Sequence, residues 1–152
     1  MKLHVVSFQV PFPPDYGGLI DVYYKLKALK EAGYSVVLHT YRYGVDEQPD
    51  LLKVADTVYY YERLTGWLSM FSFLPYIVYS RRSKLLLERL CEDNSPILFE
   101  GLHTCYFLSN PLLRDRPKWV RMHNVEHDYY NFLGSRAFLG MRNAIIIWKL
   151  GN

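Results

Sequence analysis

The sequence predicts an α/β fold with a doubly wound, mainly parallel sheet of about five or more strands and helices on both faces. Short apolar runs rich in β-branched residues recur along the chain without strict alternation, which is typical of strands covered on both faces. Segments with apolar residues at helical spacing separate these runs. A strand–helix–strand order implies parallel strands, because the intervening helix returns the chain to the same edge of the sheet.

The elements follow in order along the chain. The first strand is predicted over 3–8, and a helix from Leu19 buries apolar residues at Val22, Leu26 and Leu29 before Gly33 ends it. Asp21 and Lys25, one helical turn apart, are expected to form an ion pair. Further strands are predicted over 35–41, 57–61, 96–100 and 118–122, a helix over 83–93, and helical structure again from about residue 126.

Composition limits the protein class. The chain has 152 residues, enough for one core, and a formal charge of +3 with scattered lysines and arginines, which does not indicate a nucleic-acid-binding surface. The two cysteines, Cys91 and Cys105, match no metal or disulfide pattern, so a reducing cytoplasm is the expected location. No apolar segment is long enough to span a bilayer.

A proline- and glycine-rich segment, Pro11 to Gly18, joins the first predicted strand to the first helix. Glycine allows a ligand to approach the backbone closely, and the N–H groups at a helix amino terminus favour an anion. Gly17 and Gly18 are therefore candidates for phosphate binding. The alternative is a turn that needed two small residues, and the G-x-G-x-x-G dinucleotide pattern is absent.

Polar residues gather where three predicted strands end, at 9–18, 100–103 and 123–128. Ligands of parallel α/β sheets sit beyond the carboxyl ends of the strands, near the point where strand order reverses. These three segments are therefore predicted to form the functional site.

The order of a strand, P-P-x-Y-G-G, a helix, I-L-F-E-G-L-H and finally V-R-M-H-N-V-E-H-D-Y-Y resembles the amino-terminal half of retaining glycosyltransferases with the GT-B fold (group 1, family 4-like). These bacterial enzymes transfer sugars from nucleotide-sugar donors, and many act in polysaccharide biosynthesis. The resemblance implies a Rossmann-like, acceptor-side domain over 1–152. It also implies that the carboxy-terminal, donor-binding domain is missing, so that the chain alone is inactive.

The resemblance also implies roles for individual residues. Gly17 and Gly18 match the loop that approaches the donor phosphates, and His123 matches the catalytic histidine beside the transferred sugar. Glu100 and His103 match the acceptor side of the cleft. No cofactor is implied besides the nucleotide-sugar donor as co-substrate, and the partner is a glycan or lipid-linked saccharide acceptor.

Position alone adds four candidates for acceptor contacts or for ordering the first loop: Asp15, Tyr16, Glu126 and His127. For His103 and His127 a purely structural role is an equal alternative, and His123 could instead cap a helix. His4 and His39 are expected to be partly buried strand residues.

A different chemistry is suggested by His123-Asn124-Val125-Glu126-His127, which spells the H-x-x-E-H pattern of inverted zinc proteases. On a helix, both histidines could ligate zinc while Glu126 polarises the bound water. Strand-like residues run directly up to His123, which places this histidine at a helix entrance and argues against a metal site.

Two apolar segments suggest further contacts. Residues 67–79, followed by Arg81 and Arg82, could lie on the cytoplasmic face of a membrane, or could pack under the sheet or form a wall of the acceptor cleft. The terminal run 144–150 is expected to be left uncovered in an isolated domain, which would favour a homo-oligomer.

Three functions remain open at this stage. The first is the acceptor-binding half of a glycosyltransferase. The second is a stand-alone domain that binds a saccharide or a phosphorylated metabolite without catalysis. The third is a zinc hydrolase.

Overall fold

The computed structural model describes residues 1–64, 75–122 and 144–147. Six strands form one parallel sheet in the order β3-β2-β1-β4-β5-β6. In chain order they are β1 Lys2–Ser7, β2 Ser35–Arg42, β3 Thr57–Glu62, β4 Ile97–Glu100, β5 Lys118–Arg121 and β6 Ala144–Ile147. This order is that of a doubly wound, Rossmann-like sheet, which confirms the predicted fold class.

Three α-helices are described: α1 Gly17–Glu31, α2 Tyr76–Tyr79 and α3 Lys84–Leu90. Three 3₁₀ helices span Pro49–Lys53, Leu102–Phe107 and Pro111–Leu113. The helix predicted over 83–93 is therefore shorter, with Ser83 at its N-cap accepting a hydrogen bond from the Leu86 N–H. The predicted ion pair between Asp21 and Lys25 is confirmed at 3.5 Å.

Successive side chains of each strand point to opposite sides of the sheet, so both faces carry apolar side chains. Both faces are covered by packed segments. On one face α1 and the 3₁₀ helix Pro49–Lys53 pack on a cluster that includes Val5, Leu38 and Leu98. On the other face α3 and the segments after β4 pack on a cluster that includes Val6, Tyr41 and Phe99. The two cores explain why the strands read as continuous apolar runs.

Helix α1 is held by its apolar stripe and by a defined carboxyl end. Leu19, Val22 and Leu26 are all buried, which contributes about 1.5–3 kcal/mol for each side chain. At the end, Gly33 N–H donates to Lys30 O and Tyr34 N–H donates to Leu29 O, the pairing of a Schellman motif. Gly33 has φ +83°, so the expectation that glycine ends this helix is confirmed.

The carboxy-terminal run differs from the sequence prediction. Ala144–Ile147 pairs in parallel with β5 as β6, so part of the run expected to be uncovered is an edge strand. An isoleucine-rich run favours a strand because branched side chains pack well on a pleated surface. The helical structure predicted from about residue 126, and residues 67–74 of the predicted membrane-contact segment, lie outside the described residues.

In the described part of the chain, no helix has both the length and the apolar character needed to cross a membrane.

Candidate functional site

The carboxyl ends of β1 and β4 lie side by side at the point where strand order reverses. The chain leaves β1 toward β2 on one side, whereas β4 lies on the other side of β1. In parallel α/β sheets such a reversal opens a crevice between the two connecting loops. Phe8 and His103, one from each loop, are in ring contact with centroids 5.7 Å apart. The structure therefore brings together two of the three segments predicted from the sequence.

The loop after β1 is held by hydrogen bonds between its own residues and by one buried arginine. Ser7 Oγ donates to Gln9 O at 2.6 Å, and the Tyr16 hydroxyl donates to Gln9 Oε1 at 3.3 Å. Arg81 is only 5% exposed and donates from Nε to Phe8 O at 3.0 Å. The sequence left open whether Arg81 contacts a lipid surface or belongs to a segment packed against the protein. Its guanidinium lies inside the protein and supports the loop.

Burial and the neighbouring Asp15 carboxylate raise the pKa of Tyr16, while Arg81 opposes them. The Tyr16 hydroxyl therefore remains protonated at neutral pH and can donate a hydrogen bond. Tyr16 is also the N-cap residue of α1, with extended backbone. Asp15 N–H donates to Pro13 O at 3.0 Å, which orders the turn before the helix. Asp15 and Tyr16 thus lie at the entrance to α1, as predicted.

The amino terminus of α1 presents free backbone donors. No side chain caps it, its first turn has no acidic residue, and the Ile20 N–H is the first to bond back, to Tyr16 O at 2.9 Å. Among the described residues no acceptor is assigned to the N–H groups of Gly17, Gly18 and Leu19. Such a helix end favours an anion, because the positive end of the helix dipole and the free N–H donors both attract negative charge there.

Of the glycine pair only Gly18 is required for space, and neither glycine is required for backbone conformation. Neither Gly17 nor Gly18 has a positive φ, unlike Gly33, Gly44 and Gly101. A Cβ at Gly18 would lie 3.1 Å from Cζ of Phe8, whereas a Cβ at Gly17 would meet nothing within 4 Å. Gly18 therefore allows the helix end to approach the Phe8 ring.

Glu100 lies under the site and not on its surface. Its side chain has no exposed area and accepts hydrogen bonds from Lys25 Nζ at 2.6 and 2.7 Å. Asp21 joins this cluster through Lys25 and also binds Arg121 Nη2 at 2.8 Å. Burial lowers the pKa of Lys25, and the Glu100 carboxylate opposes that shift. The four charges tie α1 to the carboxyl ends of β4 and β5.

The turn after β4 depends on a glycine that the sequence analysis did not single out. Gly101 has φ +80°, a backbone region that favours glycine, and its N–H donates to Arg121 O at 2.7 Å. Thr104 Oγ1 donates to Gly101 O at 2.9 Å, which closes the turn. This geometry aims the half-buried His103 toward Phe8. The signal in the sequence was the E-G-L-H order itself.

The third predicted segment starts where β5 ends. Arg121 is the last residue of β5 and Met122 is buried. His123, Glu126 and His127 lie outside the described residues, so their catalytic, acceptor-binding and zinc-binding roles stay predictions. Within the described ranges no three histidine, cysteine, aspartate or glutamate side chains are grouped to hold a metal ion.

His4 and His39 lie in strands, as predicted, and are more fully buried than expected. The sequence analysis did not predict the polar chain that they form on the opposite face of the sheet. His4 Nδ1 and His39 Nε2 are 2.9 Å apart, His39 Nδ1 lies 2.7 Å from the Tyr61 hydroxyl, and His4 Nε2 lies 3.1 Å from Asp93. Burial lowers the pKa of both histidines, most strongly that of His39. Both imidazoles are therefore neutral at neutral pH, and each can donate one hydrogen bond and accept one along the chain. The available signal in the sequence was the alternation of side chains along paired strands, which can place His4 and His39 on the same face of the sheet.

The comparisons with known proteins are few. Among curated proteins, the chain is 33% identical over 139 residues to an uncharacterized 44.6 kDa protein in the cps region of Klebsiella pneumoniae. The alignment covers 87% of this chain and 36% of that relative, so the chain spans about a third of the relative's length. No family model matches the chain. No solved structure matches it either.

Proposed function

We propose that the chain is the acceptor-side half of a glycosyltransferase that acts in polysaccharide biosynthesis with a nucleotide-sugar donor, and that it is inactive alone. The observation that carries the proposal is the uncapped amino terminus of α1 at the strand-order reversal, directly beside the Phe8–His103 contact. A free helix amino terminus can bind a phosphate and polar side chains beside it can bind a sugar, so this arrangement supports transfer from a sugar diphosphate.

The relative in the cps region supports the polysaccharide theme, because a capsule region is where enzymes of capsule synthesis are expected. Its greater length leaves room for a second domain. The GT-B resemblance assigns the donor nucleotide to such a domain, across a cleft from the edge that carries Gly17 and Gly18.

In this proposal the site residues work by position and electrostatics. The N–H groups of Gly17 and Gly18 stabilise the negative charge that develops on the departing diphosphate. Tyr16, Asp15 and His103 contact the acceptor, a glycan or lipid-linked saccharide, and His123 holds the reacting groups in register. Glu126 and His127 extend the acceptor contacts.

Glu100 acts through other residues in this scheme. Because Lys25 engages both of its carboxylate oxygens, Glu100 fixes α1 against β4 and so sets where the α1 amino terminus lies. Glu100 is thus a positioning residue, and the sugar-facing role falls to His103.

A binding screen on the ¹⁵N-labelled chain tests the proposal, with a panel of oligosaccharides, lipid-linked saccharides and nucleotide sugars as probes. We expect a saccharide to shift the amide resonances of Tyr16 and His103, and we expect His103→Ala and Gly18→Val to weaken that binding. Glu31→Gln, at the far and exposed end of α1, is the matched control and should bind as the wild type does.

Two outcomes would contradict the proposal. Tight nucleotide-sugar binding to this chain alone would favour a stand-alone binding domain. Stoichiometric zinc in the purified protein, lost in His127→Ala, would favour the hydrolase.

A further inference from the structure

A second concave site lies away from the α1 amino terminus. It is a cavity of about 620 Å³ between the end of β3, the start of α3 and the 3₁₀ helix Leu102–Phe107. Pockets that bind small molecules fall in this size range, from roughly 300 to 1,000 Å³. Among the described residues, none of the donor- or acceptor-binding candidates lines it.

The inner wall of the cavity is apolar and supported by the core. Four side chains form it: Leu64, Leu87, Tyr106 and Phe107. Phe107 belongs to the buried cluster on the α3 face, and Leu87 and Tyr106 pack against that cluster. The rings of Tyr106 and Phe107 meet edge to face with centroids 4.9 Å apart. This wall is therefore formed without a ligand.

The rim carries positive charge that the described residues do not balance. Arg82 and Lys84 line the cavity, and neither forms an ion pair with any carboxylate in the described ranges. Glu62 also lines it, but its carboxylate is engaged by Arg42. Arg82 is held in place because its guanidinium lies 3.6 Å from the centroid of the Tyr79 ring.

An apolar wall beside two uncompensated cations fits a ligand that is apolar at one end and anionic at the other. We propose that this cavity binds an anionic amphiphile, with a single apolar chain or ring against Leu87 and Tyr106 and a phosphate or carboxylate at Arg82 and Lys84. A purely apolar ligand would gain nothing from the two cations, and an inorganic anion would leave the apolar wall wet. The inference does not depend on sugar transfer.

Octyl phosphate, kept below its micelle concentration, is the probe for the test. We expect saturable binding, with shifts of the Leu87 and Tyr106 amide resonances. Octyl glucoside, which has the same chain and a neutral head group, should bind at least about tenfold more weakly, and inorganic phosphate alone should not shift these resonances. Equal binding of octyl glucoside and octyl phosphate would overturn the proposal.

Lys84→Glu is the decisive variant, because Lys84 is exposed and an acidic residue at the start of α3 favours the helix. It should weaken octyl phosphate binding about tenfold or more. Lys27→Glu, an exposed lysine on α1, is the charge-matched control and should leave the affinity unchanged. An unchanged affinity in Lys84→Glu would refute the site.

The anionic head group could belong to a free metabolite or to a membrane lipid. Vesicles containing phosphatidic acid, compared with neutral vesicles in a flotation assay, separate the two sources. Binding to both monomeric octyl phosphate and acidic vesicles assigns a lipid, and binding to the monomer alone assigns a free amphiphile. Binding to vesicles without monomer binding would overturn the cavity proposal.

Discussion

Replacing Glu100 by glutamine should lower the free energy of unfolding by about 2–3 kcal/mol. Glu100 is fully buried, and Lys25 Nζ lies 2.6 and 2.7 Å from its two carboxylate oxygens. Removing one partner of a buried ion pair costs about 3–5 kcal/mol, because the other charge stays desolvated. Here Asp21 lies 3.5 Å from Lys25, and the new amide oxygen can still accept a hydrogen bond. Both facts place the expected loss at or below the lower end of that range.

Urea unfolding followed by circular dichroism measures this loss, and the melting temperature should fall by about 5–10 °C. The matched control is Glu31→Gln, which removes the exposed Lys27–Glu31 pair, 3.9 Å apart with side chains 53% and 67% exposed. The control should change stability by less than about 0.5 kcal/mol. The double variant Lys25→Met with Glu100→Gln should recover part of the loss, since no charge is then left unpaired by the substitution.

A Glu100→Gln protein as stable as the Glu31→Gln control would refute the reasoning. A double variant at least as unstable as the Glu100→Gln single variant would also refute it. Either result would mean that water reaches the Lys25 ammonium group, and that the link from α1 to β4 does not depend on this pair.

Two further predictions concern stability. Burial holds the folded-state pKa values of His4 and His39 below the usual 6.5, so the unfolded chain binds more protons at acidic pH. Stability should therefore be highest near neutral pH and fall as the pH drops through about 6.5. Urea unfolding midpoints measured at neutral and mildly acidic pH test this prediction. His39→Gln should flatten the dependence of stability on pH. A flat profile for the wild type would contradict the reasoning. Gly18→Val should lower the free energy of unfolding by about 1–3 kcal/mol, because the valine crowds the Phe8 ring. Gly17→Ala should leave the free energy of unfolding unchanged or raise it by up to about 1 kcal/mol. Equal effects of the two substitutions in thermal melts would disprove the spatial explanation.

The predicted and the described positions of the candidate site residues agree most where the sequence signal was local. The order of apolar runs and glycines between Leu3 and Leu19 predicted that a strand ends, a loop follows and a helix begins there. The reason for Gly18 could not be predicted, because the Phe8 ring that demands it lies ten residues earlier on the far side of the loop. The role of Arg81 could not be predicted for a similar reason, since its hydrogen-bond partner Phe8 is distant in the chain.

Glu100 lies at the predicted position in its strand, but its environment differs from the predicted one. Its place at the carboxyl end of a strand was predicted, but the alternation of side chains along β4 points it to the α1 face with Leu98. Which face a polar residue takes depends on the register of the whole sheet, so the Lys25 partner was visible only in the folded chain.

The sequence by itself determined the elements: the apolar runs that became five parallel strands, the apolar stripe and glycine end of α1, and the Asp21–Lys25 pair. These features depend on residues within a few positions of each other, so periodicity and propensity decide them. Only the tertiary structure decided the strand order, the pairing of β6, the Lys25–Glu100 contact and the His4–His39–Tyr61 chain. Each of these joins residues far apart in the chain, and such contacts become favourable only when packing of the whole sheet offsets the entropy of closing the loops between them.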